Sequence, residues 1–298
     1  MSPLPRFTGL EAAGAPDAAF VDAIAAAALA EDLGSREPSP EADLTTAWTV
    51  APRARARARI VARQRGVIAG LPVACAVFRR LDGSVQFGRL AAEGGIAEAG
   101  ETVAEISGSA RSLLVGERTA LNLLQRLSGT ATLTRGFVTA ISGTGVRVTD
   151  TRKTTPGLRQ LEKYAVRCGG GVNHRSGLNN AAAERLAREG AAKAGAEGAA
   201  SPRVMAEARD LDEVRELTAL ERGMRPDRIL LDNMPPEAIR EAVALIRPHD
   251  PPIEIEATGG IGLHNVRDIA LTGVDLVSIG ALTHSAPALD LSLLFERA

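Results

Sequence analysis

From Val146 to Gly280, short apolar runs recur at a nearly constant interval. Each ends on a polar or glycine residue before a helix-like stretch begins. "VRVTDTRK" reaches Lys153, "RVMAEA" carries Glu207, "RILLDN" closes on Asp232, "IEIEATGG" on Thr258, Gly259 and Gly260, and "LVSIGA" on Ser278 and Gly280. Glu207 to Asp232 and Asp232 to Ala257 are 25 residues each, and Ala257 to Gly280 is 23. One strand, one turn and one returning helix use up about that length of chain, so the rhythm predicts a parallel βα barrel or an open α/β sheet. Ligands bind such folds beyond the carboxyl ends of the strands. The polar residues just named should therefore gather at one mouth.

The first third has a different rhythm and reads as a mixed α/β unit. Residues 11–33 are predicted helical, with Asp17 as the cap, and 72–81 form a second helix. Val85–Phe87 and Val103–Ile106 are short strand-like runs. "ARARARIVARQRGVIAG" (54–70) alternates at its start, which puts Arg55, Arg57 and Arg59 on one strand face. That face is either a phosphate-binding stripe or a solvated sheet surface, and the solvated surface is the favoured reading. Residues 112–141 are amphipathic and helical, with Gly129 expected to divide them in two.

A net charge of −1 over 298 residues provides no global basic field, which argues against nucleic acid as a partner. No apolar run reaches transmembrane length, and the N-terminus lacks a secretory signal pattern. Cys75 and Cys168 fit neither a disulfide framework nor a zinc pattern, so a reducing cytoplasm is the expected setting, with Cys168 a small packed residue.

Any anion site must then be local, and one segment supplies it. Residues 150–177 bring together Arg152, Lys153, Arg159, Lys163, Arg167, His174 and Arg175 around Gly169, Gly170 and Gly171. The same mouth should hold the acids Glu207 and Asp232. Acids beside an anion site make sense when a divalent cation or sugar hydroxyls sit between them, and Mg²⁺ takes one or two carboxylates plus phosphate oxygens and water. The glycine-bearing strand ends at 258–260 and 278–280, each expected to lead into a helix, offer backbone amides to phosphate. Taken singly these signals are weak: "ATGG" is a common turn, "LLDN" can cap a helix, and a strand glutamate can be a structural ion pair. Together they suggest a phosphorylated sugar with a metal at one side. The planar arginine forks suggest a second substrate that carries carboxylates.

"GERTALNLLQRLSGTATLTR", "DTRKTTPGLRQLEKYAVRCGGGVNHR", "LLDNMPPEAIREAV" and "SIGALTHSAPALDLSL" resemble the quinolinate phosphoribosyltransferase family, from about "DLTT" to the end of the chain. The resemblance implies an α/β protein with two domains. One is an N-terminal sandwich-like domain, residues 1–128 joined by 288–298, and the other is a (β/α) barrel, residues 129–287. It implies transfer of the phosphoribosyl group of phosphoribosyl pyrophosphate to quinolinate with decarboxylation, giving nicotinate mononucleotide for NAD biosynthesis, with Mg²⁺. Lys153, Glu207 and Asp232 take the catalytic positions, Glu207 and Asp232 also holding the metal. Arg152, His174 and Arg175 meet the quinolinate carboxylates, and Arg118 reaches them from the neighbouring subunit of a homodimer or higher oligomer. Thr258, where the family usually has Ser, Gly259, Gly260, Ser278 and Gly280 cradle phosphate, with His284 nearby.

The chain departs from the family after Leu178. There the family continues with a strand of the type "DMVLIKDNH", whose lysine binds a substrate carboxylate; here "NNAAAERLAREGAAKAGAEGAASPR" follows. Val148 to Val204 is 56 residues, about two βα periods, yet 179–202 hold no β-like apolar run. The expectation is an incomplete barrel with one strand missing, and Lys193 sits in a helix-like run that does not replace the lost lysine. Two alternatives stay open: a phosphoribosyltransferase with another acceptor, and a catalytically impaired homologue acting as a binding or dimer-partner protein.

Overall fold

The computed structural model describes residues 14–35, 37–176 and 204–296. They fall into two compact units. Unit 1 takes the described residues of Met1–Leu133, Gln160–Gly170 and Ala286–Ala298; unit 2 takes those of Thr134–Arg159 and Gly171–Ser285.

Unit 1 begins with α1 (Ala18–Leu33), and the Asp17 side chain caps it by accepting from the Phe20 amide at 2.7 Å. Residues 14–17 are not helical, so the helix starts later than the sequence pattern suggested. Its start is set by the Asp17 cap directly after Pro16. A short α2 (Leu44–Thr49) follows, capped by Asp43. The sheet of this unit is antiparallel, in the order β11 (Leu291–Phe295), β1 (Arg55–Ala62), β5 (Thr102–Ser109), β3 (Gln86–Arg89). A separate two-stranded ribbon pairs β2 (Gly66–Val67) with β4 (Ile96–Ala97). Alternation on β1 works as expected: Arg55, Arg57 and Arg59 are exposed, while Ala58 and Ile60 are buried. The buried side packs on Ala25 and Leu29 of α1, on Leu71, Val77 and Phe78 of α3 (Leu71–Leu81), and on Leu113 and Leu121 of α4 (Ala110–Ala140).

The expectation that Gly129 divides α4 is not met, because the helix runs unbroken from Ala110 to Ala140. A Cβ at 129 would collide with the carbonyl oxygen of Pro287. The glycine is there for a close backbone approach, not to break the helix. On α5 (Arg159–Cys168), Cys168 is buried, and burial, with the Glu93 carboxylate second, pushes its thiol up to about 12. That is the packed cysteine expected from the sequence.

In unit 2 five strands run parallel in the order β6 (Arg147–Thr149), β10 (Leu276–Ser278), β9 (Glu254–Thr258), β8 (Arg228–Asp232), β7 (Met205–Ala208). Val172 bridges Thr149 in parallel. One sheet face is apolar, through Val148, Ile229, Leu231, Ile255, Ala257 and Val277. The helices carry matching stripes: α6 (Leu211–Ala219) packs against β7, α7 (Pro236–Ile246) against β9 and α8 (Val266–Ala270) against β10. Ile239, Ala242 and Ile246 recur on one side of α7, whose Pro236 suits the first helical turn. The last helix, α9 (Ala281–His284), is a single turn after Gly280. The segment on which the missing-strand expectation and Lys193 fall, 178–203, lies outside the described residues. No described helix is long and apolar enough to cross a membrane.

Candidate active site

The other face of the parallel sheet builds the site, and the strand register shows how. Leu230 pairs with Glu207 and Glu256, Glu256 with Leu276, and Leu276 with Arg147, so these residues form one row across the sheet. Two residues further along each strand, Asp232 pairs with Thr258, and Ser278 pairs with Thr149. Two residues earlier, Arg228 pairs with Glu254 and Met205. With a side-chain period of two, all three rows face the same way.

This face opens into a cavity of about 580 Å³. Its lining includes ten of the residues singled out from the sequence: Arg152, Lys153, His174, Arg175, Glu207, Asp232, Thr258, Gly259, Gly260 and Ser278. Among the described residues, Thr151, Leu230, Asn233 and Glu256 line it as well.

The cations arrive on two loops, and one buried acid joins them. Asp150, fully buried after β6, accepts from Asn173 Nδ2 at 2.6 Å and from the His174 amide at 2.9 Å. It thereby fixes the 173–175 segment beside Arg152 and Lys153, more than 20 residues away in the chain. The 151–154 turn is held in its own right. Thr151 Oγ1 accepts from the Lys153 amide at 3.0 Å, the Thr283 hydroxyl donates to the Lys153 carbonyl at 2.6 Å, and Arg159 donates to the Arg152 carbonyl at 3.3 Å and to Thr154 Oγ1 at 2.9 Å. Arg152 Nε is buried without a hydrogen-bond partner among the described residues. A buried N–H left this way is costly unless a ligand accepts from it.

Opposite the cations stand Glu207 and Asp232. Asp232 Oδ1 accepts from Asn233 Nδ2 at 3.0 Å. Asn233 has φ of 54°, and a Cβ on Gly259 (φ 85°) would collide with its side-chain amide. Glycine at 259 is thus required both by its backbone conformation and by space. Gly260 has φ of 62° and does not start a helix directly, since α8 begins only at Val266.

Three expected residues are not on the cavity wall. A Cβ on Gly280 would lie 3.0 Å from His284 Nε2 and 3.3 Å from Lys153 Cδ, so the glycine lets these two side chains approach. His284 Nδ1 is 2.6 Å from Ser285 Oγ. Arg118 lies on α4 within unit 1, with its side chain 79% exposed and 3.9 Å from Glu117.

Sequence reading missed Glu256, Asp150 and Asn233. Glu256 is fully buried and bonds Arg228 Nη1 at 2.5 Å and the Ser278 hydroxyl, with His174 Nε2 at 3.6 Å. Burial pushes its carboxyl above the usual range, and Ser278 and Arg228 pull it back. A signal was available: "EIEAT" places Glu254, Glu256 and Thr258 at intervals of two, on one face of an otherwise apolar strand.

A parallel sheet whose strand ends present clustered cations on one side and two carboxylates on the other defines an α/β enzyme of the kind that handles phosphate- and carboxylate-bearing substrates. Residues 130–294 match the family described as quinolinate phosphoribosyl transferase, C-terminal domain, and 43–128 match its N-terminal domain. A probable nicotinate-nucleotide pyrophosphorylase (carboxylating) of Synechocystis sp. is 43% identical over 277 residues, 90% of each chain. The Mycobacterium leprae nicotinate-nucleotide pyrophosphorylase (carboxylating) is 40% identical over 258 residues, covering 84% of this chain and 90% of the relative. Among solved structures, the nicotinate-nucleotide pyrophosphorylase of Francisella tularensis superposes with a TM-score of 0.84 at 33% identity, over 96% of this chain and 99% of that one. The chain belongs to the quinolinate phosphoribosyltransferase family.

Proposed function

We propose that this chain transfers the phosphoribosyl group of phosphoribosyl pyrophosphate to quinolinate. The observation that carries the reading is the convergence of Arg152, Lys153, His174 and Arg175 on one cavity, with Arg152 Nε buried and unpartnered among the described residues. A planar pyridine dicarboxylate suits such a cluster, because guanidinium groups pair with carboxylates through two parallel hydrogen bonds. In the reaction the quinolinate nitrogen bonds to C1 of the ribose as the C1–oxygen bond to pyrophosphate breaks, and pyrophosphate leaves with the electron pair. The bond from C2 of the ring to its carboxylate then breaks, CO₂ departs, and a proton takes its place at C2 to give nicotinate mononucleotide.

The residues have distinct jobs in this reading. Arg152, His174 and Arg175 bind the carboxylates. Lys153 stands between the two substrates and offsets negative charge as pyrophosphate departs. Glu207 and Asp232 hold the ribose hydroxyls and favour the positive charge that develops on the sugar. The Thr258 hydroxyl, Ser278 and the amides of Gly259, Gly260 and Gly280 receive phosphate. Glu207 and Asp232 would also hold Mg²⁺. Two carboxylates, with no third acid, His or Cys clustered among the described residues, fit a cation completed by phosphate oxygens and water, which supplies charge stabilisation for the leaving group. We assign Arg118 to the site of a partner subunit in a homodimer, which suits its exposure on α4.

The test is turnover of phosphoribosyl pyrophosphate with quinolinate against nicotinate. Release of nicotinate mononucleotide and CO₂ from quinolinate alone is expected, and acceptance of nicotinate in its place would overturn the reading. Shared sites are tested by mixing Arg118→Ala protein with Lys153→Ala protein, each inactive alone. Subunit exchange should restore part of the activity, and exchange without recovery would rule the sharing out.

A further inference from the structure

Across the sheet face behind the cavity, charges alternate in an unbroken ladder. Arg147 Nη2 donates to Glu254 Oε1 at 2.6 Å. Arg228 donates to Glu254 Oε2 from Nε at 2.9 Å and from Nη2 at 2.6 Å, and from Nη1 to Glu256 Oε2 at 2.5 Å. Glu256 is the rung that reaches the cavity. Its other oxygen, Oε1, accepts from the Ser278 hydroxyl and lies 3.6 Å from His174 Nε2.

We propose that Glu256 is a positioning residue, orienting the His174 imidazole toward quinolinate, with Arg228 and Glu254 as the buttress that fixes it. The proposal rests on the quinolinate reading for what His174 binds.

Two observations separate this role from that of a plain structural ion pair. First, Arg228 is already met by both of its remaining nitrogens at Glu254, so Glu256 is not its sole counterion. Second, the two carboxylate oxygens of Glu256 have different partners, one in the buttress and one on the site. The His174 backbone amide is held by Asp150, and its ring Nε2 faces Glu256 Oε1 at 3.6 Å. A carboxylate facing Nε2 keeps the proton on that nitrogen in the neutral ring and favours the doubly protonated ring, the form that pairs with a substrate carboxylate. Among the described residues, Glu256 on β9 faces the ring with Arg228 on β8 behind it, Asp150 meets the backbone end, and Arg152, Lys153, Arg175, Glu207 and Asp232 share the cavity wall with it. The 3.6 Å separation is loose for a hydrogen bond. Contacts of this kind tighten when substrate closes the site.

The experiment is a double-mutant cycle read by calorimetric binding to the full-length protein. Glu256→Gln keeps the size and the bond to Ser278 and removes the charge. It should weaken quinolinate binding at least tenfold and change phosphoribosyl pyrophosphate binding less than twofold. In a His174→Ala background it should change quinolinate binding less than twofold, since the residue acts through the ring. An undiminished effect in that background, or equal loss of both substrates, would overturn the proposal. Absence of quinolinate binding by the unaltered protein would instead overturn the quinolinate reading. The contact is then read without substrate, from imidazole ¹⁵N shifts assigned by loss of signal in His174→Ala. Glu256→Gln should move the His174 protonation midpoint down by at least half a pH unit, and an unmoved midpoint would overturn the proposal. If the glutamine variant does not fold, Glu256→Asp, which keeps the charge and withdraws it by one methylene, should show the same selective loss of quinolinate.

Discussion

On β1 of unit 1 three arginines at intervals of two face water, and Arg59, 3.7 Å from Glu296, keeps 48% of its side chain exposed. On β8 and β9 of unit 2 charged residues are also spaced by two, but there Arg228 keeps 10% exposure and Glu256 is fully buried. The pleat is the same and the alternation is the same. What differs is the cover. The antiparallel sheet of unit 1 has one face on the core and one in solvent, so polar residues on its outer face cost little. A strand in a parallel sheet has no solvent face to spare, so a charge there must be paired and hydrogen-bonded or it destabilises the fold. Buried pairs of this kind are weak evidence for stability. Their place in unit 2, directly beneath a cavity lined with cations, is explained by the site they support.

The contrast can be broken hardest at Arg228. Arg228→Ala leaves Glu254 and Glu256, side by side on the same face of β9, with one counterion fewer. A loss of about 3–5 kcal/mol of folding stability is expected, as is usual when one partner of a buried pair is removed. Denaturant unfolding measures it. A loss below about 1 kcal/mol would mean that the ladder is as well solvated as the arginines of β1.

Next in size is the effect on catalysis at the mouth. Arg152→Ala removes a half-buried guanidinium, whose Nε is buried, from the cavity wall, and truncating one partner of a charge-assisted pair formed with bound substrate costs about 2–5 kcal/mol. The expected outcome is a fall in kcat/KM for quinolinate that far exceeds any change in phosphoribosyl pyrophosphate binding, with the melting temperature nearly unchanged. Parallel losses for both substrates would place Arg152 outside the carboxylate subsite.

A smaller effect sharpens the comparison through pH. Burial holds the folded Glu256 carboxyl above its ordinary 4.5, so folding favours the protonated form. That contribution is complete below pH 4.5 and is lost as pH rises through the raised folded value. The glutamine variant of residue 256 cannot ionise. Its stability relative to the unaltered protein should therefore improve steadily from pH 4 toward neutrality, even as quinolinate binding weakens. A stability difference that is flat with pH, or that shrinks, would show that Arg228 and Ser278 outweigh the cost of burial.

How much of this was legible beforehand follows the same division. The βα rhythm placed Glu207, Asp232, Thr258 and Ser278 on strand ends, and all four line the cavity, because a strand end is a local property that spacing reveals. The alternating arginines of β1 were read correctly as solvated for the same reason. Glu256 escaped because a glutamate inside a strand looks alike whether it faces water or a core, and only the strand pairing shows which. Gly129 was misread because a helical glycine signals either a break or a close approach, and the approaching backbone at Pro287 lies 158 residues away in the chain. Asp150 was hidden in the same way, since its work is to tie the 172–175 segment to β6 across a helix.

The smallest predicted effect is the control for all the others. Arg59 sits on β1 between Leu294 of β11 and Glu105 of β5, with Glu296 within 4 Å, and so has an acid partner just as Arg228 has. If pairing alone set the energetic weight of a strand arginine, Arg59→Gln and Arg228→Ala would hurt comparably. But Arg59 is about half exposed, water screens its charge, and holding two long side chains together costs entropy that the weak attraction barely offsets. Arg59→Gln should change folding stability by no more than about 0.5 kcal/mol and leave turnover untouched. A measured loss near that of Arg228→Ala would mean that the arginine face of β1 is covered in the assembled protein. The solvated reading of β1 would then give way to one in which that face, too, is an interface.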